Sequence, residues 1–145
     1  MKIEVIHGPN MNLLGIREPD IYGKNTYTDL CDFIRASFPE DTFAFFQSNH
    51  EGDIIDRIQA CCGTADAIVI NPAAYTHTSI AIADALRAVA LPAVEVHLSD
   101  VNAREPYRAV SYVKEACIAT ISGKGFAGYR EAITLLHKNE QEGKI

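Results

Sequence analysis

Apolar residues along the chain fall into two kinds of stretch: short continuous runs, and longer stretches with helical spacing. The short runs predict strands at residues 2–7, 42–47, 66–70, 93–97 and 116–121. Apolar residues that recur every three or four positions predict helices at residues 26–38, 53–62, 78–90 and 126–139, with a short helical piece near 106–113. Strands and helices therefore alternate along the chain.

This alternation predicts an α/β fold, because strand–helix–strand units build parallel sheets with helices on both faces. We expect a flavodoxin-like, doubly wound sheet of five parallel strands in the order 2-1-3-4-5. The 145 residues are too few for an eight-stranded β/α barrel and fit a single domain over 1–145, with a polar tail from about residue 139. In such sheets ligands bind beyond the carboxyl ends of the strands.

Polar residues are concentrated directly after the predicted strands. They are His7, Asn10, Asn12, Arg17 and Tyr22 after the first strand, Ser48, Asn49, His50 and Glu51 after the second, Asn71, Tyr75, Thr76 and His77 after the third, and Glu95, His97, Ser99, Arg104 and Arg108 in and after the fourth. The strands and helices themselves carry mostly aliphatic residues. The sequence therefore predicts a site at this edge of the sheet.

Composition and charge narrow the class of partner. Lys and Arg total 13 against 19 Asp and Glu, and the net charge of −6 argues against a nucleic-acid or membrane partner. No apolar run approaches the length of a membrane span, about 18 residues, and no signal peptide is evident. The cysteines Cys31, Cys61, Cys62 and Cys117 lack C-x-x-C spacing, which predicts buried thiols in a reducing cytoplasm.

Three patterns suggest cofactor, metal or nucleophile sites but lack the features that would support them. Residues 123–128 match G-x-G-x-x-G, yet no acidic residue follows at the end of another strand, so we interpret the motif as a tight turn. His50, His77 and His97 lack the local spacing typical of zinc ligands. No G-x-S-x-G elbow occurs, and Cys61 and Cys62 are expected in the middle of a helix. We predict no metal and no cofactor.

Two pairs of residues do suggest acid–base chemistry. Glu95 and His97 lie two residues apart and share one face of a strand, so the carboxylate can orient the histidine as a general acid or base. A surface ion pair is the alternative interpretation. Burying a Glu in a central strand costs free energy, however, which favours a functional role for the pair. Arg17 and Tyr22 share a Gly- and Pro-rich loop, where a guanidinium can lower a tyrosine pKa that is ordinarily about 10.

The segment 71–79, NPAAYTHTS, is the start of a helix that Thr78 or Ser79 is expected to cap. Capping uses only one hydroxyl, so Asn71 and His77 need another explanation. Helix N-termini favour anionic and hydroxyl-rich ligands, which makes ligand binding the functional alternative for both residues.

From about Ile3 to Leu136, the sequence resembles the type II 3-dehydroquinate dehydratases. The segments that carry the likeness are GPNMNLLG, REP and YG within residues 8–23, QSNHEG at 47–52, NPAAYTHTS at 71–79, and EVHLS and AREP within 95–106. Met11 replaces the more usual Leu, a volume-conserving change. The stretch at 100–102 departs from the family's common Asn-x-His, which leaves a role for Asn102 open.

The resemblance implies trans-elimination of water from 3-dehydroquinate through an enolate, without metal or cofactor, to give 3-dehydroshikimate. It implies that Tyr22 removes the C2 proton as tyrosinate and that Arg17 lowers the pKa of Tyr22. Asn10 would hold a water that stabilises the enolate. His97, oriented by Glu95, would protonate the departing C1 hydroxyl.

The resemblance also implies how the substrate and neighbouring subunits are held. The substrate-binding groups would be Asn71, His77 and Arg108 at the ring hydroxyls and the backbone of Leu98 and Ser99 at the carboxylate. Asp84 would reach the site of a neighbouring subunit, which suits its position in a helix expected to have little solvent face. Members are similar in forming homododecamers, tetramers of trimers. The alternative is a non-catalytic flavodoxin-like ligand-binding module, which predicts an acidic phosphorylation cluster or a nucleotide fingerprint; neither is present in the sequence.

Overall fold

The computed structural model describes residues 1–16, 18–22 and 24–143, except for the side chain of Tyr22. Within these residues the strands are β1 (Lys2–His7), β2 (Thr42–Gln47), β3 (Ala67–Asn71), β4 (Ala93–His97) and β5 (Ala119–Ser122). They form one parallel sheet in the order β2-β1-β3-β4-β5. The predicted flavodoxin-like α/β fold and its strand order are confirmed.

Helices connect the strands and cover both faces of the sheet. The α-helices are α1 (Pro19–Tyr22), α2 (Tyr27–Ser37), α3 (Glu51–Ala60), α4 (Ile80–Val89) and α5 (Ala127–Gln141). Short 3₁₀ helices lie at Met11–Leu13, Ala73–His77, Val101–Ala103, Pro106–Ala109 and Val113–Ala116. The start of α2 is fixed by a capping box in which the Thr26 and Asp29 side chains each accept the other's backbone N–H.

Alternation along the strands divides the core into two layers. Ile3 and Val5 of β1 pack in the layer under α2 and α5, with Leu30 and Ile133. Ile6 packs in the opposite layer under α3 and α4. Because both faces of the sheet are covered, the strands carry apolar residues toward both faces rather than alternating strictly between polar and apolar.

Gly8 lets the loops after β1 and β3 meet at the edge of the sheet. A Cβ atom at residue 8 would lie 2.3 Å from the carbonyl oxygen of Pro72. The Gly8 N–H donates to the carbonyl oxygen of Asn71 at 2.8 Å. Only a residue without a side chain permits this approach, and the approach brings the chemistry of both loops into one cleft.

The end of the second predicted helix and the start of the fifth strand differ from the sequence predictions. Helix α3 ends at Ala60, and the chain then turns through Gly63, whose φ is +77°. The expectation that Cys61 and Cys62 lie in the middle of a helix is therefore wrong. Strand β5 begins at Ala119 rather than 116, because Val113–Ala116 forms a 3₁₀ helix first.

Two helix ends also differ from expectation. Of the two candidate caps for α4, Ser79 is the one used, since its Oγ accepts the N–H of Ile82 at 2.9 Å. The helix therefore begins at Ile80 rather than at residue 78. The last helix continues to Gln141, two residues beyond its predicted end at residue 139.

The four cysteines differ in burial. Cys31 and Cys61 are buried and Cys117 is half-buried, all as free thiols. Cys62 is exposed, so the prediction of buried thiols is wrong for this residue, which follows α3 in a surface turn. Among the described residues, none of the helices combines the length and the hydrophobicity that a membrane-spanning segment needs.

Candidate active site

A cleft opens at the carboxyl edge of the sheet, between the loops that follow β1, β3 and β4. Its volume is about 140 Å³. Its lining residues are Pro9, Asn10, Met11, Asn71, Ala73, Ala74, His77, His97, Leu98, Ser99, Val101, Arg104 and Arg108. The structure therefore brings predicted site residues from three separate loops to one place, which is the edge at which doubly wound sheets bind ligands.

His97 and Glu95 form the predicted pair at the end of β4. The Nε2 atom of His97 lies 2.6 Å from Oε1 of Glu95, and the Glu95 side chain is fully buried behind the histidine. Strand geometry explains the contact, because residues two apart share a face. Since Glu95 engages Nε2, Nδ1 is the ring nitrogen left to exchange a proton with a ligand.

Glu95 is held as a carboxylate by a set of hydroxyl donors. Thr76 and Ser111 donate to Oε1, and Thr120 donates to Oε2 at 3.2 Å. Burial disfavours the charged form, but the hydrogen bonds from His97, Thr76 and Thr120 outweigh it and lower the pKa of Glu95 below its ordinary value. The Glu95 carboxylate therefore stays negatively charged. The alternative of a surface ion pair is wrong, because Glu95 is not at the surface.

Asn71 and His77 reach the cleft from the loop that follows β3. The Oδ1 atom of Asn71 accepts the N–H of Ala73 at 3.1 Å, in a turn that holds Ala73 at φ +53°. The Nδ1 atom of His77 lies 2.5 Å from the carbonyl oxygen of Val110. That bond fixes the ring and leaves Nε2 for a ligand. Both side chains thus present defined polar groups, as recognition of hydroxyls requires.

Asn10 lies in the left-handed region, with φ +70°. Asn tolerates this conformation better than most residues. Its backbone N–H donates to Oδ1 of Asn49 at 3.0 Å, and Gln47 also donates to that oxygen. Asn49 therefore does not line the cleft itself but holds the loop that carries Asn10.

Two arginines give the cleft a positive wall in a chain of net charge −6. Arg104 and Arg108 line it with side chains that are 13% and 17% exposed, and both pair with Glu105. Arg108 was predicted, whereas Arg104 was not assigned a role. Its signal was its place in the AREP segment, four residues before Arg108.

Three predicted residues are not placed in the cleft. Arg17 and the side chain of Tyr22 lie outside the described residues, and the backbone of Tyr22 ends α1. Asp84 is on the exposed face of α4, where its Oδ1 lies 3.2 Å from Nη1 of Arg87. The expectation that α4 has little solvent face is wrong, because Ile80 and Asp84 share an outward side one helical turn apart.

The glycine-rich segment 123–128 has a structural role. Gly123 donates its N–H to the carbonyl oxygens of His97 and Ser99, and Gly125 donates to that of Leu98. The glycine-rich turn therefore supports the loop after β4. Across residues 1–16, 18–22 and 24–143, no group of three His, Cys, Asp or Glu side chains is placed to hold a metal ion.

His7 ends β1 but does not line the cleft. Its ring is fully buried between Tyr27 and Tyr129, and each ring nitrogen lies 3.0 Å from one hydroxyl. Burial lowers the pKa of His7 to about 3. The ring is therefore neutral in the folded protein at pH values where it is protonated in the unfolded chain.

The stability of the protein should fall with acid because of His7. An unfolded histidine titrates near pH 6.5, so the contribution is complete above that pH and is lost as pH falls toward 3. Between pH 6.5 and 5 the loss is about 2 kcal/mol. Urea unfolding of wild type and His7→Gln at pH 7 and pH 5 measures it. Equal pH dependence in the two proteins would contradict the neutral ring.

The fold and the cleft define this protein as a small α/β enzyme built on a flavodoxin-like sheet. The family model of class II dehydroquinases matches residues 1–137, and the chain belongs to that family. A 3-dehydroquinate dehydratase of Clostridium acetobutylicum is 53% identical over 138 residues, covering 94% of this chain and 96% of that protein. The catabolic 3-dehydroquinase 1 of Neosartorya fischeri is 50% identical over 145 residues, covering 99% and 97%.

A solved structure agrees with these relatives. The crystal structure of a type II dehydroquinase from Butyrivibrio crossotus is 48% identical and superposes with a TM-score of 0.92, covering 94% of this chain and 97% of the other. The predicted family resemblance is thereby confirmed over nearly the whole chain.

Proposed function

We propose that this chain is a 3-dehydroquinate dehydratase that removes water from 3-dehydroquinate by acid–base catalysis through an enolate. The observation that carries the proposal is the Glu95–His97 pair, with the carboxylate buried and the histidine in the wall of the cleft. A histidine with one nitrogen bound to a carboxylate and the other available to a ligand suits a general acid.

The elimination needs a base on one side of the substrate and an acid on the other. Tyr22, as tyrosinate, takes the C2 proton, and Arg17 stabilises the phenolate and so lowers the pKa of Tyr22. The electrons move into the adjacent carbonyl to form the enolate, which a water held by Asn10 stabilises. The enolate then expels the C1 hydroxyl, to which His97 gives a proton, so that the leaving group is water.

Substrate binding is assigned to the remaining lining groups. Asn71, His77 and Arg108 take the ring hydroxyls, and the backbone of Leu98 and Ser99 takes the carboxylate. The positive wall formed by Arg104 and Arg108 supports this assignment, because the substrate is an anion.

Assembly and compartment belong to the same proposal. A homododecamer, a tetramer of trimers, would let Asp84 reach the cleft of a neighbouring subunit. The exposed side of α4 supports this, since it presents Ile80 with 56% of its surface exposed beside the charged Asp84. Free thiols at Cys31, Cys61, Cys62 and Cys117 support a reducing cytoplasm.

One assay tests the function and the absence of a metal requirement together. Protein mixed with 3-dehydroquinate should develop the ultraviolet absorbance of the conjugated enone product. Activity should be unchanged after exhaustive chelation and dialysis, because Tyr22 and His97 supply both proton transfers. No absorbance from folded protein would overturn the function. Activity lost on chelation and restored by added metal would overturn the metal-free mechanism alone.

A further inference from the structure

We propose that His7 and Tyr129 are positioning residues that hold the Asn71 amide in one orientation and thereby set substrate recognition. The inference rests on the proposed function, in which Asn71 binds a ring hydroxyl. Neither His7 nor Tyr129 lines the cleft, so both act through Asn71.

Strand register and helix packing bring the three side chains together. His7 pairs with Asn71 in the register of β1 and β3, and both point into the layer under α2 and α5. Tyr129, on α5, is fully buried there. Its hydroxyl lies 3.0 Å from Nε2 of His7 and 3.2 Å from Nδ2 of Asn71. One hydroxyl therefore connects the buried ring to the amide in the cleft wall.

The direction of these hydrogen bonds follows from one backbone donor. The N–H of Ala73 can only donate, so the atom of Asn71 that faces it must be the oxygen, Oδ1. Nδ2 then faces Tyr129 and donates to the hydroxyl oxygen. The hydroxyl proton of Tyr129 is left to donate to His7, whose Nε2 must be the acceptor. His7 consequently carries its proton on Nδ1 and donates to Tyr27.

The groups around the His7 ring keep this series of hydrogen-bonded side chains uncharged. Burial raises the pKa of both Tyr27 and Tyr129 and lowers that of His7. Burial also raises the pKa of Cys31. A neutral histidine offers one donor and one acceptor, as the two tyrosines require. An apolar ring at position 7 removes that acceptor, and the Tyr129 proton then competes for Oδ1 of Asn71.

Steady-state kinetics of His7→Phe and Tyr129→Phe test the positioning role. We expect KM for 3-dehydroquinate to rise about tenfold with kcat within about threefold, because binding is weakened rather than proton transfer. His7→Gln, which keeps a donor and an acceptor, should restore most of the affinity. His137→Phe is the matched control: it also removes a hydrogen-bonded histidine, from Asp41, far from the cleft, and should leave KM unchanged.

A double-mutant cycle separates positioning from general loosening. In an Asn71→Ala background, His7→Phe should change KM by less than about twofold, because residues acting through one another are not additive. A full tenfold effect in that background, or an unchanged KM in His7→Phe alone, would overturn the proposal.

A spectroscopic measurement tests the same hydrogen bonds and does not depend on enzymatic turnover. Nitrogen-15 NMR of the wild-type protein should show His7 protonated at Nδ1 and unprotonated at Nε2. The side-chain amide signals of Asn71, identified by their loss in Asn71→Ala, should move in His7→Phe but not in His137→Phe. The opposite His7 tautomer, or Asn71 signals that do not move in His7→Phe, would overturn the positioning role whether or not the protein turns over 3-dehydroquinate. The expected NMR results from a protein that does not turn over 3-dehydroquinate would overturn only the proposed function.

Discussion

Replacing His97 with alanine is expected to lower kcat by about 10²–10⁴-fold, the range typical of losing a general acid. Without the imidazole, the C1 hydroxyl must leave as hydroxide, a much poorer leaving group than water. Glu95 cannot substitute, because it is fully buried behind His97 and its lowered pKa keeps it deprotonated.

The fold should survive this substitution. Thr76, Ser111 and Thr120 continue to donate to the Glu95 carboxylate when His97 is removed. The circular dichroism spectrum of His97→Ala should therefore match that of wild type, while its kcat is nearly lost. His50→Ala is the matched control, since His50 is an exposed histidine that precedes α3 and is not part of the cleft lining. A His97→Ala enzyme within about tenfold of wild type would refute the role of His97 as the acid.

The sheet could be predicted because its information is local. Each strand is an apolar run and each connection a helix, and right-handed crossovers leave few ways to join them. What could not be predicted depends on distant contacts. The 3₁₀ helix at Val113–Ala116 precedes β5 because Tyr112 donates its N–H to the carbonyl oxygen of Thr76 and Val113 is buried in the core. No periodicity in the sequence records that contact.

The site residues were predicted from their places at the ends of strands, and this criterion gave the wrong location for His7. A polar residue at the end of a strand is expected near the ligand, but His7 is in phase with Ile3 and Val5, whose side chains enter the core. The strand period of two was the signal that could have placed it. Arg104 is at the predicted edge in the sequence but has no predicted role, because an arginine in a loop gains a role only when folding brings that loop against another.

The contact between Glu95 and His97 could be predicted from residue types and spacing alone. A carboxylate two positions before a histidine in a central strand predicted a contact on one face, and the structure has it at 2.6 Å. The hydroxyl donors could not be foreseen, since they come from positions 76, 111 and 120, on three other segments of the chain.

Tyr22→Phe is expected to lower kcat by about 10²–10⁴-fold, because phenylalanine has no oxygen to take the C2 proton. A tyrosine titrates near pH 10 when nothing stabilises its phenolate. In the proposed mechanism Arg17 stabilises the phenolate, so kcat/KM of wild type should rise with pH along a limb that Tyr22→Phe removes. Tyr107→Phe is the matched control, since Tyr107 is 63% exposed and keeps its ring against Arg108.

Isotope exchange distinguishes the base from the acid. In D₂O, an enzyme that forms the enolate exchanges the C2 proton of 3-dehydroquinate even when the hydroxyl cannot leave. His97→Ala should therefore still exchange that proton while producing almost no enone, whereas Tyr22→Phe should do neither. Proton NMR of the remaining substrate measures the exchange. Exchange that persists in Tyr22→Phe would assign proton abstraction to another residue, and exchange lost in His97→Ala would mean that His97 takes part before the enolate forms.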